Sequence, residues 1–182
     1  MEHLEDAHSI TGLICNKNKY LYEFWSKAHG WAPESAASLL ESSMLKWQFE
    51  LSETLKIWCE KGHNITDGEL ILAWANLGAL LEGSMKFFLC VYLLDYNAEE
   101  EKIKNYGKDI LPDGAMLNGL IDFYEKKELF LNFVPLFKAV QTKRNAIHSF
   151  KYRDIGSFSD FENSLKDYYL FLCDIDGTIP YP

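Results

Sequence analysis

Residues 66–91 read TDGELILAWANLGALLEGSMKFFLCV, and this stretch is the strongest indication of the fold class. Thr66, followed by Glu69 three positions later, is the capping-box pattern that begins an α-helix. After Glu69 the stretch carries only two charges, Glu82 and Lys86, so the predicted helix is apolar nearly all round. Such a helix either spans a membrane or lies at the centre of a bundle. Each mid-helix charge costs about 2.5–3.5 kcal/mol in lipid, so we expect the centre of a bundle.

The rest of the chain repeats its apolar residues with a helical period, and no segment shows sustained alternation. The other predicted helices cover about residues 4–28, 33–62, 115–127, 129–150 and 159–172. The second of these should bury one apolar seam, formed by Leu40, Met44, Trp47, Leu51, Leu55 and Trp58. Pro33 suits the first turn of that helix, and Ser159 with Glu162 forms a second capping-box pattern. We expect one all-α domain, a bundle of five to seven helices around the apolar central helix, with residues 1–62 as an N-terminal helical extension.

The amino-acid composition limits the classes of protein to which the chain can belong. The chain has 182 residues, 48% of them hydrophobic and 15% aromatic, which is enough for one domain with a substantial core. The net charge of -9 argues against coating nucleic acid by bulk electrostatics but leaves room for a local basic site. Four widely spaced cysteines without a C-x-x-C pair predict reduced, buried thiols. The N-terminus lacks the pattern of a signal peptide, which predicts a cytoplasmic location.

Several motifs of catalysis and metal binding are absent or incomplete. Residues 174–178 read DIDGT, which matches the nucleophile loop of haloacid-dehalogenase-like phosphatases. That loop follows a strand of a parallel sheet and precedes a further domain, whereas here the preceding residues look helical and few residues follow. We interpret the stretch as the polar end of a helix, terminated by Gly177. The histidines have no metal-ligand spacing and the glycines form no phosphate loop, so neither a metal site nor a cofactor is expected.

A second stretch, residues 142–152, reads TKRNAIHSFKY and carries the candidate chemistry. Arg144 and His148 are four residues apart, which puts both on one face of the predicted helix. An Arg binds phosphoryl oxygens, and a His transfers protons near neutral pH. The other interpretation is an Arg that pairs with a core carboxylate and a His that packs or caps. Glu82 is such a carboxylate, and it needs a partner, for which Lys86 and Arg144 are the candidates.

Positive charge is concentrated around this pair. Residues 138–153 include five Lys or Arg and no Asp or Glu. In an acidic chain this pattern is typical of an anion-binding site, although a solvated basic face has the same composition. The five residues are Lys138, Lys143, Arg144, Lys151 and Arg153.

The sequence RNAIH at residues 144–148, on the penultimate helix of an all-α chain, resembles the motif of the HEPN superfamily. HEPN proteins are helical bundles, often dimeric, and many are metal-independent endoribonucleases of toxin–antitoxin and phage-defence systems. Their motif is an Arg, a polar residue that is often Asn, and then a His. Arg144, Asn145 and His148 fit in identity and order, with fewer residues between Arg and His than the nucleases usually have. Tyr152 is similar to a nearby Tyr of some toxin branches.

The resemblance implies an RNA-directed protein, and in the catalytic case a ribonuclease. His148 would then activate the ribose 2′-hydroxyl or protonate the leaving oxygen, Arg144 would stabilise charge on the phosphate, and Asn145 would orient one of them. It also implies a homodimer and a protein antitoxin as partner. Glu82 and Lys86 would support the site, and the residues expected to contact RNA are Lys138, Lys143, Lys151, Tyr152 and Arg153.

A different class of function stays open, namely a non-catalytic helical interaction module in which Arg144 is structural. The surroundings of Arg144 discriminate between the two. Packing of Arg144 against Glu82 favours the interaction module, whereas an Arg144 that opens into a basic cleft favours catalysis.

Overall fold

The computed structural model describes residues 6–148, 150 and 152–182. Within these residues there are eight α-helices and one short antiparallel hairpin of two strands, β1 (Lys104–Asn105) and β2 (Lys108–Asp109). The helices are α1 (Ala7–Trp25), α2 (Glu34–Ser42), α3 (Leu45–Lys61), α4 (Asp67–Val91), α5 (Leu93–Ala98), α6 (Leu117–Lys126), α7 (Val134–Arg144) and α8 (Phe158–Thr178). The prediction of an all-α bundle is confirmed, with more helices in the described residues than the five to seven expected.

The central helix is α4, as the sequence predicts. The Thr66 hydroxyl accepts a hydrogen bond from the Glu69 N–H, and the Glu69 carboxylate accepts one from the Thr66 N–H, so the capping box is confirmed. Six other helices, α2, α3, α5, α6, α7 and α8, pack against α4. Trp74 and Leu77 of α4 are completely buried. No helix within the described residues has the length and apolarity needed to cross a membrane.

The first three helices belong to the same core as the rest of the bundle. α1 packs against α3 and α8, and α3 packs against α4. Ile14 of α1 and Leu55 of α3 are fully buried in one hydrophobic cluster with Leu77 of α4. The segment expected as an N-terminal extension therefore contributes directly to the interior.

The prediction of one helix over residues 33–62 is wrong, because the chain turns at Ser43 between α2 and α3. Ser43 has an extended backbone, and its hydroxyl donates to the Leu39 carbonyl oxygen at 2.8 Å. The turn divides the predicted seam. Leu40 and Leu55 are buried, whereas the side chains of Met44, Trp47 and Leu51 are exposed by 57%, 61% and 38%.

Among the described residues of the segment predicted as a helix over 129–150, only those of α7 are α-helical. Pro135 lies in the first turn, where its missing N–H is not needed. After Arg144 the chain continues as a 3₁₀ helix over Asn145–His148. The expected long helix therefore ends at Arg144, before the candidate His.

The last helix begins and ends at other residues than predicted. Its capping box is formed by Ser157 and Asp160, not by Ser159 and Glu162. The stretch DIDGT lies in the last turns of α8, in agreement with the helical interpretation. Gly177 does not terminate the helix. Ile179 is extended, as expected of a residue before a proline, and the helix stops there.

All four cysteines are free thiols. Cys15 and Cys90 are buried, and Cys59 and Cys173 are partly buried. Burial raises the pKa of both Cys59 and Cys90 to about 12. These two side chains are therefore uncharged thiols at neutral pH and act as small hydrophobic groups.

Candidate functional site

Arg144 is the last residue of α7, and its side chain crosses α4 at Gly78. A Cβ atom at Gly78 would lie 2.5 Å from Arg144 Cδ and 3.0 Å from Arg144 Cβ. Glycine is therefore required at this position by the close approach of another side chain. Beyond Gly78, Arg144 Nη1 donates to Glu82 Oε2 at 2.7 Å. The guanidinium group is thus bound to the central helix.

Glu82 accepts hydrogen bonds from two cations. Lys86 Nζ donates to Glu82 Oε1 at 2.8 Å, while Arg144 binds the other carboxylate oxygen. The side chains of Glu82 and Arg144 are 17% and 26% exposed. Partial burial raises the pKa of Glu82, but the hydrogen bonds from Lys86 and Arg144 outweigh it, so the pKa lies below its ordinary value. The prediction that Glu82 pairs with Lys86 and Arg144 is confirmed.

The expectation that Arg144 and His148 share a helical face is wrong. It assumed α-helical geometry, in which a step of four residues turns only about 40° past a full turn. The Asn145–His148 segment is a 3₁₀ helix with about three residues per turn, so the same step ends about 120° past a full turn. Arg144 accordingly contacts Glu82, while His148 is exposed to solvent and Asn145 is partly buried.

Residues 148–153, which we call the surface segment because the described ones (148, 150, 152 and 153) are exposed, lie between two anchors. The first anchor is Arg144 on α4. The second is Trp74, also of α4, whose Nε1 donates to the Ile155 carbonyl oxygen at 2.8 Å. Lys143 Nζ lies 4.5 Å from the centre of the Trp74 ring, a cation–π contact. The two ends of the segment are therefore held against the same helix.

Lys143 also borders the turn that leads into α8. Gly156 has a φ of +67°, and a Cβ there would lie 2.9 Å from Lys143 Nζ. Hydrogen bonds from Ser157 lower the pKa of Asp160, and the charge of Lys143 lowers it further. Lys143, expected to contact RNA, therefore has its ammonium group between Trp74 and this turn.

The surface segment presents large side chains to solvent. Phe150 is 112% exposed and Tyr152 is 91% exposed, and both His148 and Arg153 are exposed as well. Two aromatic rings so fully exposed within one short segment are unusual in a folded protein. Sequence reasoning missed Phe150, because an aromatic residue in a predicted helix indicates burial. Lys151, which the sequence also proposes, lies outside the described residues.

Lys138 is not near these residues. It lies six residues before Arg144, about 9 Å along the helix axis. Its Nζ donates to Glu125 Oε1 of α6 at 2.6 Å. The cations that the sequence places in one group therefore have different partners: Lys138 binds Glu125 of α6, whereas Arg144 binds Glu82 of α4.

An exposed apolar face lies where α3 borders α4. Gln48 donates to the Leu80 carbonyl oxygen at 2.7 Å, and the Thr54 hydroxyl lies 2.5 Å from the Asn76 amide, so the two helices are in contact over this length. Leu72, one turn before Asn76, is 48% exposed. We call this surface the α3–α4 face; its large exposed side chains are Met44, Trp47, Leu51 and Leu72.

Within the described parts of the chain, no three His, Cys, Asp or Glu side chains come together as metal ligands would. None of the protein families, curated proteins or solved structures compared with the chain matches it. The functional interpretation rests on the contacts described above and on the motif resemblance.

Proposed function

We propose that the protein is an HEPN-like, RNA-directed protein of the cytoplasm that binds single-stranded RNA through the surface segment, residues 148–153. The observation that carries the proposal is the exposure of Phe150 and Tyr152, beside the exposed His148 and Arg153. Aromatic rings stack on unpaired bases, and Arg binds the phosphates between them. The contacts at Arg144 and Trp74 hold the chain on both sides of the segment before RNA arrives, which reduces the entropy lost on binding.

The negative net charge of the chain determines which interactions can supply the affinity for RNA. With a net charge of -9, long-range attraction of RNA is absent, so base stacking must supply most of the affinity. If two cations contact phosphates, the logarithm of the association constant should fall with the logarithm of salt concentration with a slope of about -1.4. A much steeper dependence would indicate a larger basic surface than the segment offers.

Binding is tested by fluorescence anisotropy with a labelled single-stranded RNA of mixed sequence. Replacing both Phe150 and Tyr152 with Ala should weaken binding at least tenfold, because stacking contributes about 1–3 kcal/mol per base. Tyr106→Ala is the matched control, since Tyr106 is 99% exposed beside the β1–β2 hairpin, and it should bind as the wild type does. Equal affinity of the double variant, or no binding by the wild type, would exclude this proposal and favour a protein-interaction module.

Cleavage of the bound RNA is the finer part of the proposal. His148 takes the proton of a ribose 2′-hydroxyl, the 2′-oxygen attacks the adjacent phosphorus, and the bond to the 5′-oxygen breaks while this oxygen takes up a proton from water. The products are a 2′,3′-cyclic phosphate and a 5′-hydroxyl, and the step needs only proton transfer and charge stabilisation. Because Arg144 donates to Glu82 and its side chain is only 26% exposed, we assign Arg144 to positioning the segment rather than to direct contact with phosphate.

The cleavage assay uses chelator-treated protein and single-stranded RNA. Wild-type protein should produce cyclic-phosphate ends, and His148→Ala should abolish cutting while it retains RNA binding. Residual cutting that is equal in both proteins would reveal a contaminating nuclease. RNA binding without cutting by the wild type would limit the function to binding.

One observation favours a second candidate, the non-catalytic interaction module. Arg144, the first residue of the motif, is bound to Glu82 and does not open into a basic cleft. An Arg in this position stabilises the bundle whether or not RNA is a ligand. For this candidate the exposed aromatic rings would contact a protein partner, such as an antitoxin, and RNA affinity would be absent from the anisotropy test.

We further propose that the protein forms a homodimer through the α3–α4 face. An apolar helix such as α4 is normally covered on all sides, yet Leu72 is exposed, and so are Trp47 and Leu51 of the neighbouring α3. Tryptophan is prominent among the residues that dominate binding energy at interfaces.

A further inference from the structure

A cavity lies at the other end of the bundle from the surface segment. Its volume is about 260 Å³, and it is formed where α1 ends and the C-terminal residues 179–182 fold back. Val91, which contributes to its wall, lies seventeen residues along α4 from Trp74, about 25 Å along the helix axis. The proposed RNA site does not involve this cavity.

Three aromatic rings form the cavity, which we call the aromatic cage. Trp25 is its floor and is 2% exposed. The Trp31 ring lies 4.9 Å from the Trp25 ring, centre to centre, at an angle of 58°. The Tyr181 ring lies 6.0 Å from the Trp25 ring at an angle of 56°. The rings are therefore inclined to one another around a common space and do not stack face to face.

Both side walls of the cage are supported from behind. Phe24 packs against Trp31 with ring centres 5.1 Å apart, and against Tyr181 with ring centres 4.9 Å apart. The Tyr181 hydroxyl donates to the carboxylate of Asp176, which also accepts from Lys17 at 2.6 Å. The position of the Tyr181 ring is thus fixed before any ligand arrives, although it belongs to the chain terminus.

The lining of the cage selects one class of ligand. Apart from the aromatic rings, the residues that line it within the described chain are prolines, Ala32 and Val91, and none has a charged side chain. A carboxylate or phosphate ligand would therefore find no cation to bind. Inclined aromatic faces attract a cation through the negative charge of their π systems, most strongly when the cation is weakly hydrated.

We propose that the aromatic cage binds a small organic cation of the quaternary or methylated ammonium class. Choline is the probe, and 3,3-dimethyl-1-butanol, which has the same shape without the charge, is the control ligand. Each is titrated into ¹⁵N-labelled protein while the five indole N–H signals are followed. Choline should shift the signals of Trp25 and Trp31 at millimolar concentrations, and the alcohol should bind at least about tenfold more weakly.

Variants locate the binding. Trp31→Leu should weaken choline binding at least about tenfold, because it removes one aromatic wall and keeps an apolar side chain. Tyr181→Leu removes the opposite wall and keeps an apolar side chain against Phe24, and it should do the same. Tyr181→Phe keeps the ring and should bind choline nearly as the wild type does. Trp47→Leu, on the α3–α4 face, is the control for loss of a tryptophan elsewhere and should not change binding.

The proposal is overturned by any of three results. The first is equal binding of choline and the uncharged alcohol, which would make the cage merely an apolar cavity. The second is no shift of the Trp25 and Trp31 signals at millimolar choline. The third is unchanged affinity in Tyr181→Leu, which would exclude the cage as the place of binding even if Trp31→Leu failed to fold.

Discussion

The side chain of Arg144 passes over Gly78, and the missing Cβ at Gly78 is what allows the guanidinium group to reach Glu82. The atoms concerned would be 2.5 Å apart if residue 78 were an alanine. Gly78 and Glu82 are four residues apart and so lie on the same side of α4. The Arg of the motif and two residues of the central helix therefore form one structural unit, which connects the start of the surface segment to the core.

Gly78→Ala should destabilise the protein. Helix propensity alone favours Ala by about 1 kcal/mol, but the added Cβ would also lie 3.0 Å from Arg144 Cβ, which cannot swing aside as a side-chain end can. We expect a net loss of about 1–3 kcal/mol in the free energy of unfolding, measured with urea. Gly12→Ala in α1 is the control. No atom lies within 4 Å of its added Cβ, so it should be stabilising. A Gly78→Ala protein as stable as Gly12→Ala would contradict the close approach.

Glu82 should make the free energy of unfolding depend on pH. Its folded-state pKa lies below the ordinary value of 4.5, so its contribution is fully present above pH 4.5 and is lost as the pH falls through the folded pKa. Glu82→Gln should lower the free energy of unfolding at pH 7 by about 1–3 kcal/mol. The difference from the wild type should shrink as the pH is lowered from 5 towards 3.

The matched control for this experiment is Glu50→Gln. Glu50 pairs with Lys46 at the surface of α3, where both side chains are about half exposed. Exposed pairs contribute little, so this change should alter stability by less than about 0.5 kcal/mol at any pH. A Glu82→Gln difference that stays constant between pH 7 and pH 3 would show that the charge of Glu82 is not what stabilises the bundle.

The central part of the fold follows from local sequence signals. Thr66 and Glu69 begin α4 with contacts only three residues apart, and the near absence of charge after them fixes the helix at the centre. The partners of Glu82 follow from the same reasoning, because a carboxylate in an apolar helix requires a cation. Burial and charge therefore predicted the Arg144 contact without any knowledge of how α7 packs.

Other features depend on contacts between distant residues and have no local signal. The turn at Ser43 interrupts a sequence whose apolar period continues unbroken through it, so periodicity alone predicts one helix. The chain after the surface segment is held by Trp74, which binds Ile155 from 81 residues away in the chain. The change from α-helix to 3₁₀ helix after Arg144 is also invisible in the spacing of RNAIH, and it is what separates the orientation of His148 from that of Arg144.

Trp74→Phe should loosen the surface segment without removing the aromatic ring from the core. The variant loses the hydrogen bond to the Ile155 carbonyl oxygen, worth about 1 kcal/mol. Local opening near Arg153 should become about fivefold more frequent, and trypsin cleavage after Arg153 should accelerate in proportion. Trp47→Phe is the control, because Trp47 is exposed on α3, and it should be cut at the wild-type rate. Equal cleavage rates in all three proteins would mean that Trp74 does not anchor the segment.

Trp47→Asp should dissociate the proposed homodimer and leave the fold intact. The Trp47 side chain is already 61% exposed in the monomer, so the change costs little in folding. In a dimer formed through the α3–α4 face, the substitution would bury a charge in place of an aromatic anchor. We expect it to weaken the binding free energy of the dimer by about 2 kcal/mol or more, which raises the dissociation constant roughly thirtyfold.

Sedimentation at tens of micromolar measures this change, a concentration at which a standard-sized interface persists. The wild type should sediment as a dimer and Trp47→Asp as a monomer, with similar thermal unfolding midpoints. Leu94→Asp is the matched control, because Leu94 is 55% exposed on α5 and lies outside the α3–α4 face, and it should remain dimeric. A monomeric wild type removes the homodimer altogether. Dissociation by Leu94→Asp but not by Trp47→Asp would show that the dimer interface includes Leu94 of α5 and not the α3–α4 face.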